Sequence, residues 1–196
     1  MSMLKPLVTL ALLSTLAGCA STQGPMDYSA FKKSNPKSIL VLPPINHTTE
    51  VIAPYGVLAK VTVPLAEAGY YVFPVALVDE TFKNNGLTVA EDIHLVPSNK
   101  LHEIFGADAV MYLEVQEYGT SYNILSSDTV VVVQAKLVDN KTNEILWQGS
   151  ARAASSEQNG GNSGGLVGML VEAAVTQIME TVMDTGFQIA STASAR

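Results

Sequence analysis

Ser38-Ile39-Leu40-Val41-Leu42-Pro43-Pro44 decides the fold. Four consecutive apolar residues leave no polar face, so the run reads as a strand buried on both sides. That is the pattern of parallel and mixed sheets rather than of a sheet with one wet face. Two prolines end it, since neither can donate a ladder hydrogen bond. Ile45–Pro54 follows as a loop. Val57, Leu58, Val61 and Leu65 then recur at helical spacing. They predict a helix over Tyr55–Ala68, with Pro64 kinking or dividing it and Gly69 at its C′ position.

Tyr70-Tyr71-Val72-Phe73 before Pro74 reads as the second strand. A short helix carries Val78 and Phe82 and closes at Asn85-Gly86, with the acidic pair Asp79-Glu80 near its start. Thr88-Val89-Ala90-Glu91 has the form of a capping box, with Thr88 at N-cap and Glu91 at N3. Ser98 caps another short helix with Leu101, Ile104 and Phe105, stopped by Gly106. Ala109–Tyr118 is the third strand. Thr129–Val138 and Glu144–Arg152 flank the turn cluster Asp139-Asn140-Lys141-Thr142-Asn143 and form an antiparallel hairpin. Ile145, Trp147, Gly149 and Ala151 share one face of its second strand. Helices separate the first three strands, so these pair in parallel.

Ser155–Gly165 is a Gly/Asn/Ser-rich flexible loop. Leu166–Thr185 is the longest helix. Val167, Val171, Ala174, Val175, Ile178 and Val182 share one face, and Glu172, Thr176, Glu180 and Asp184 take the other. Its carboxylates keep it out of a bilayer. The expected fold is α/β: one domain over 38–186 with an about five-stranded mixed sheet, three parallel strands plus a C-terminal antiparallel hairpin. Helices pack it, including the long C-terminal amphipathic one, and 187–196 is a flexible tail.

The N-terminus has signal-peptide anatomy. Lys5 is the positive n-region and Leu7–Leu16 the apolar h-region, too short to span a bilayer comfortably. It ends at Leu16-Ala17-Gly18-Cys19, a branched apolar residue, two small residues and the chain's only cysteine. That is the pattern cut by a lipoprotein signal peptidase. Residues 1–18 are then removed and Cys19 is the lipidation site. Residues 19–37 are polar with Gly24, Pro25 and Pro36, and read as a tether. Its 17 residues from Ser21 to Lys37 extend to about 60 Å at most. Tyr28 and Phe31 are its candidates for docking onto the domain, which spacing alone does not decide.

With 196 residues and 47% apolar side chains the chain is long enough for a sizeable core. The formal charge is -7, and losing Lys5 with the signal leaves -8. An acidic chain lacks the basic patch that nucleic acid requires, and it does not adhere to anionic lipid by charge. A single Cys makes no intrachain disulfide. No G-x-S-x-G elbow, P-loop or G-x-G-x-x-G turn is present, so no catalytic residue and no cofactor are assigned. His47, His94 and His102 lack zinc-ligand spacing, so no metal is assigned. Asn46, His47 and Thr48 follow the first strand, where α/β sheets hold ligands, and form the candidate ligand loop. Tyr112, Tyr118 and Tyr122 cluster around the third strand. Leu166, Met169 and Leu170 fall off the main stripe of the last helix. They either pack locally or form an interface with another chain.

Several segments carry a resemblance. They are Ser38–Pro44, Tyr55-Gly56-Val57-Leu58-Ala59 and Pro64–Pro74, then Glu80-Thr81-Phe82-Lys83, Ile104-Phe105-Gly106 and Glu117–Tyr122. Across Ser38 to about Gly186 the chain resembles a family of Gram-negative lipoproteins of unknown function that includes a neisserial vaccine-candidate surface lipoprotein. The turn Val138–Trp147 is more distantly similar to that of periplasmic α/β domains. These are the curli secretion channel lipoprotein, the TolB N-terminal domain and lipoprotein activators of peptidoglycan synthases. The resemblance implies an outer-membrane lipid anchor, with Ala20 rather than Asp after the cysteine, and a domain facing the periplasm or the surface. It also implies self-association as a homodimer or higher homo-oligomer and contacts with other envelope lipoproteins. The leading expectation is a non-enzymatic envelope assembly or secretion accessory. A regulator of peptidoglycan synthesis is the alternative. A hydrolase using His47 or His102 with a carboxylate such as Asp79 comes third.

Overall fold

The structure is a computed structural model and describes residues 27–123, 126–154, 167 and 169–179. Cys19, Leu166, the 155–165 loop and the 187–196 tail lie outside the described residues. The elements run α1 (Ser29–Ser34), β1 (Ser38–Val41), β2 (Ile45–Asn46), α2 (Ala53–Glu67), β3 (Tyr71–Val72), α3 (Val75–Asn84), α4 (Ala90–His94), α5 (Ser98–Phe105), β4 (Ala109–Asn123), β5 (Ser126–Asp139) and β6 (Ile145–Ala154). A last helix, α6, covers 169–179.

One mixed sheet organises them in the order β3-β1-β4-β5-β6, with β2 also on β4. β3, β1 and β4 pair in parallel, and β4, β5 and β6 pair antiparallel. The expected architecture therefore stands, with one strand added. β2 resumes beside β4 after the Pro43-Pro44 break, at Ile45↔Glu114 and Asn46↔Val115. Two residues are too few to show a period.

The apolar run of β1 feeds both faces of the sheet. Ile39 and Val41 join a core with Met111, Leu113, Val133, Leu137 and Trp147, covered by α1, α2 and α6. Leu40 and Leu42 join a second cluster with Val110, Val138, Val78, Phe82, Ile93 and Leu101, covered by α3, α4 and α5. The parallel half is thus sandwiched between helices, while among the described residues the second face of β4, β5 and β6 is covered only at its end.

Two β-bulges adjust which face residues take. On β4 the register moves from Val115↔Val133 to Glu117↔Val132, so Gln116 is extra. This turns Tyr118 towards the α2 side, away from the face of Tyr112. A Cβ placed on Gly56 of α2 would stand 3.3 Å from the Tyr118 hydroxyl, so glycine keeps that approach open. On β6, Leu137↔Trp147 is followed by Val138↔Ile145, which makes Leu146 extra. Ile145 therefore leaves the face of Trp147 and is 50% exposed, contrary to simple alternation.

The domain begins before Ser38. Residues 29–34 of the expected tether are the helix α1, and Phe31 is 2% exposed in the main core. Ser34 Oγ donates to Asp139 Oδ2 at 2.5 Å and locks α1 to the end of β5. α2 starts at Ala53 and runs unbroken to Glu67, with Pro64 in its last turn instead of dividing it; Gly69 follows at φ 93°. The capping box does not form: α4 starts at Ala90 with Val89 as N-cap and no side-chain cap. Ser98 is the first residue of α5, and Pro97 takes the cap position. Gly106, at φ 71°, ends α5 as expected.

Among the described residues β4 and β5 also outrun their neighbours. Thr120↔Thr129 to Asn123↔Ser126 lie beyond the last β5–β6 pair, Val130↔Ala154, and beyond β2. There the two strands form a ribbon.

Candidate functional site: the open face of the antiparallel strands

Alternation along β4, β5 and β6 sends Tyr112 and Glu114, Gln134 and Lys136, and Gln148 and Ser150 to the face that α3, α4 and α5 leave bare. Cross-strand pairing makes two rows, Tyr112–Lys136–Gln148 and Glu114–Gln134–Ser150. They line a depression of about 400 Å³ whose floor includes Ala135 and Gly149.

The predicted ligand loop meets the depression through Glu114. Asn46 Oδ1 accepts from the Thr48 backbone N–H at 3.1 Å and from its hydroxyl at 2.8 Å. Asn46 Nδ2 donates to Glu50 O at 3.0 Å, and Thr48 Oγ1 accepts from the Glu50 N–H at 3.2 Å. Asn46 and Thr48 thus shape the turn, and His47 is the member that reaches the site. Its Nε2 lies 2.9 Å from Glu114 Oε2, an oxygen that also accepts from Gln116 Nε2 at 3.1 Å.

On the Tyr112 side stands His94 of α4. His94 Nε2 donates to the Pro43 carbonyl at 2.9 Å, and its ring meets Tyr112 edge to face at 5.2 Å. Burial pushes the His94 imidazole below its ordinary range, outweighing the pull of the Pro43 carbonyl and of Glu114. Burial likewise raises the Tyr112 phenol. Lys136 Nζ stands 4.9 Å above the Tyr112 ring, a cation–π contact.

The remaining candidates disperse. His102 Nδ1 donates to Ala107 O at 2.8 Å and braces the turn after α5, while Glu103 pairs with Lys100 at 2.6 Å. Asp79 pairs with Lys83 on α3 at 2.6 Å. Among the described residues no three His, Cys, Asp or Glu side chains gather as a metal site, and no helix is long and apolar enough to cross a membrane. Leu170 packs locally, fully buried in the main core, whereas Met169 is 55% exposed. The sequence reading missed Glu114, Gln134, Lys136, Gln148 and Ser150 as a site. The signal was present as every-second-residue polarity in Tyr112–Gln116, Gln134–Lys136 and Gln148–Ser150.

A second exposed surface is apolar. α2 buries Val57, Leu58, Val61 and Leu65, yet Ile52 (60% exposed), Tyr55 (67%) and Val63 (56%) form another stripe on its outer side. Beside it, Ala59, Lys60, Val63 and Pro64 line a groove of about 380 Å³ with Glu172, Val175 and Thr176 of α6. Lys60 and Glu172 bridge it at 2.9 Å.

A family model described as "Putative lipoprotein GNA1162-like" matches residues 26–196. The lipoprotein NMB1124/NMB1162 of Neisseria meningitidis serogroup B (strain ATCC BAA-335 / MC58) is 50% identical over 193 residues, 97% of this chain and 89% of that one. The crystal structure of lipoprotein GNA1162 from Neisseria meningitidis superposes with a TM-score of 0.62 at 55% identity, over 73% of this chain and 98% of the other. The PelC dodecamer of Paraburkholderia phytofirmans shares the fold alone, with a TM-score of 0.51 at 14% identity over 73% and 86% of the two chains. An α/β sheet with this strand order and a match to the family model over nearly the whole chain make it a member of the GNA1162-like lipoprotein family.

Proposed function

We propose that this chain is a non-enzymatic accessory lipoprotein of the outer membrane. Acylated Cys19 anchors it, and it works by contacts with copies of itself and with other envelope lipoproteins. The observation that carries this reading is the outer stripe of α2. Ile52, Tyr55 and Val63 give α2 a second apolar side, which nothing among the described residues covers. The PelC fold occurs as a dodecamer, so the architecture is compatible with assembly.

Docking of α1 limits reach. From Cys19 to Asp27 the chain spans about 30 Å at full extension, half of what an undocked tether would give. Partners must therefore come close to the membrane. This favours co-anchored lipoproteins over a synthase met across the murein mesh, and places regulation of peptidoglycan synthesis second.

The test is the mass of the full lipidated chain in detergent, read with crosslinking and co-purification from its own envelope. Self-assembly or a specific lipoprotein partner supports the reading. A strictly monomeric chain with no envelope partner removes it. Cys19→Ser should move the protein from the membrane fraction to the soluble one, and retention of the variant would refute the anchor.

A further inference from the structure

We propose that the open face of β4, β5 and β6 binds a hydroxyl-rich glycan chain. Gln134, Gln148 and Ser150 each carry donor and acceptor capacity on one side chain, which matches sugar hydroxyls that also need both. Lys136 adds donors and Glu114 adds acceptors. The two charges make no ion pair with each other, and among the described residues Lys136 makes none at all. The rows are pre-set. His47 and Gln116 hold the Glu114 carboxylate, and the Lys136 ammonium stands over the Tyr112 ring. Strands about 4.8 Å apart and rows about 7 Å apart put these groups within reach of successive rings of one chain.

Other ligand classes fit poorly. A peptide that extends a sheet pairs with an edge, whereas the backbone of β5 is used on both sides by β4 and β6. Nucleic acid needs cationic excess, and here one ammonium faces one carboxylate. An apolar ligand would meet amides and hydroxyls. A purely solvated face is the remaining possibility, but such a face needs no held side chains, and here Glu114 is held by His47 and Gln116 and the Tyr112 ring meets His94.

The test is a titration of the full chain in detergent with chitotetraose and with cellotetraose, followed by backbone amide shifts. Expected are saturable shifts centred on Tyr112, Glu114, Gln134, Lys136, Gln148 and Ser150. The double variant Gln134→Ala/Gln148→Ala should weaken binding at least about tenfold, from the loss of two amide hydrogen-bonding groups. Both side chains are exposed, so the variant should keep its fold, checked by an unchanged melting curve. Lys83→Ala, on α3, should bind as wild type. No shift with either sugar up to about 10 mM, a range covering even very weak binding, overturns the proposal. So does a double variant that binds like wild type, or an equal response to tetra-alanine. None of these outcomes bears on self-association.

Discussion

The indole of Trp147 lies across Gly149, two residues along β6. A Cβ at position 149 would stand 2.5 Å from the ring. The missing side chain is thus the space the indole fills. Gly149→Ala must push the buried indole aside, and overpacking of this kind costs about 1–3 kcal/mol. The urea midpoint should fall accordingly. An unchanged midpoint would mean that the indole is free to move. Trp147 Nε1 has no hydrogen-bond partner among the described residues. Trp147→Phe should therefore cost less than Trp147→Ala by more than the difference in volume alone.

α1 is held chiefly by Phe31. Truncating a buried Phe to Ala costs about 3–5 kcal/mol. Phe31→Ala should destabilise the domain by that order and open the 29–37 segment to protease. Protection of that segment in the variant would show that Ser34 and Asp139 suffice.

Two carboxylates at the ends of strands set an acid limit. Burial opposes ionisation of Asp139, but hydrogen bonds from Ser34, Thr142 and Lys141 outweigh it and hold its carboxyl below the ordinary range. Asp108 follows the same pattern, with Lys37 and Ser38 as the principal donors. A depressed folded value means the stabilisation is complete above the unfolded pKa, about 3.9, and fades as pH falls through it. Chemical denaturation should show a loss beginning below about pH 4–5. Asp139→Asn should flatten that slope, and an identical slope in the variant would contradict the assignment. His94 adds a gentler loss below about pH 6.5, because its buried imidazole resists protonation.

The outer α2 stripe predicts a separation of assembly from stability. Tyr55→Glu places a charge on a 67% exposed site. It should leave the melting temperature within the scatter of surface substitutions, about 0.5 kcal/mol in stability, while reducing the self-associated fraction. Light scattering across a concentration series checks it. Full association in the variant would exclude this stripe as the contact.

Much of the sheet was legible because β1 is apolar from Ile39 to Val41 and glycines mark the ends of α2 and α5. Residues 29–34 were not legible as a helix, since Tyr28 and Phe31 alone set no period. Bulges at Gln116 and Leu146 are invisible to alternation, which is why Ile145 was given the wrong face. The candidate site was half legible. His47 follows the first strand, but its partner Glu114 is 67 positions away. Nothing in the spacing says that the helices stop short of covering β5 and β6.

The ribbon at Thr120–Asn123 and Ser126–Thr129 has a mechanical consequence. A strand flanked on both sides resists bending; two strands alone resist it weakly. Among the described residues β4 and β5 are flanked near the helices and stand alone past Gly119, so the pair is stiffer at its clamped end than at its far one. Amide exchange should rise along β4 past Gly119, so that one continuous hairpin spans the rigid and the yielding ends of the molecule.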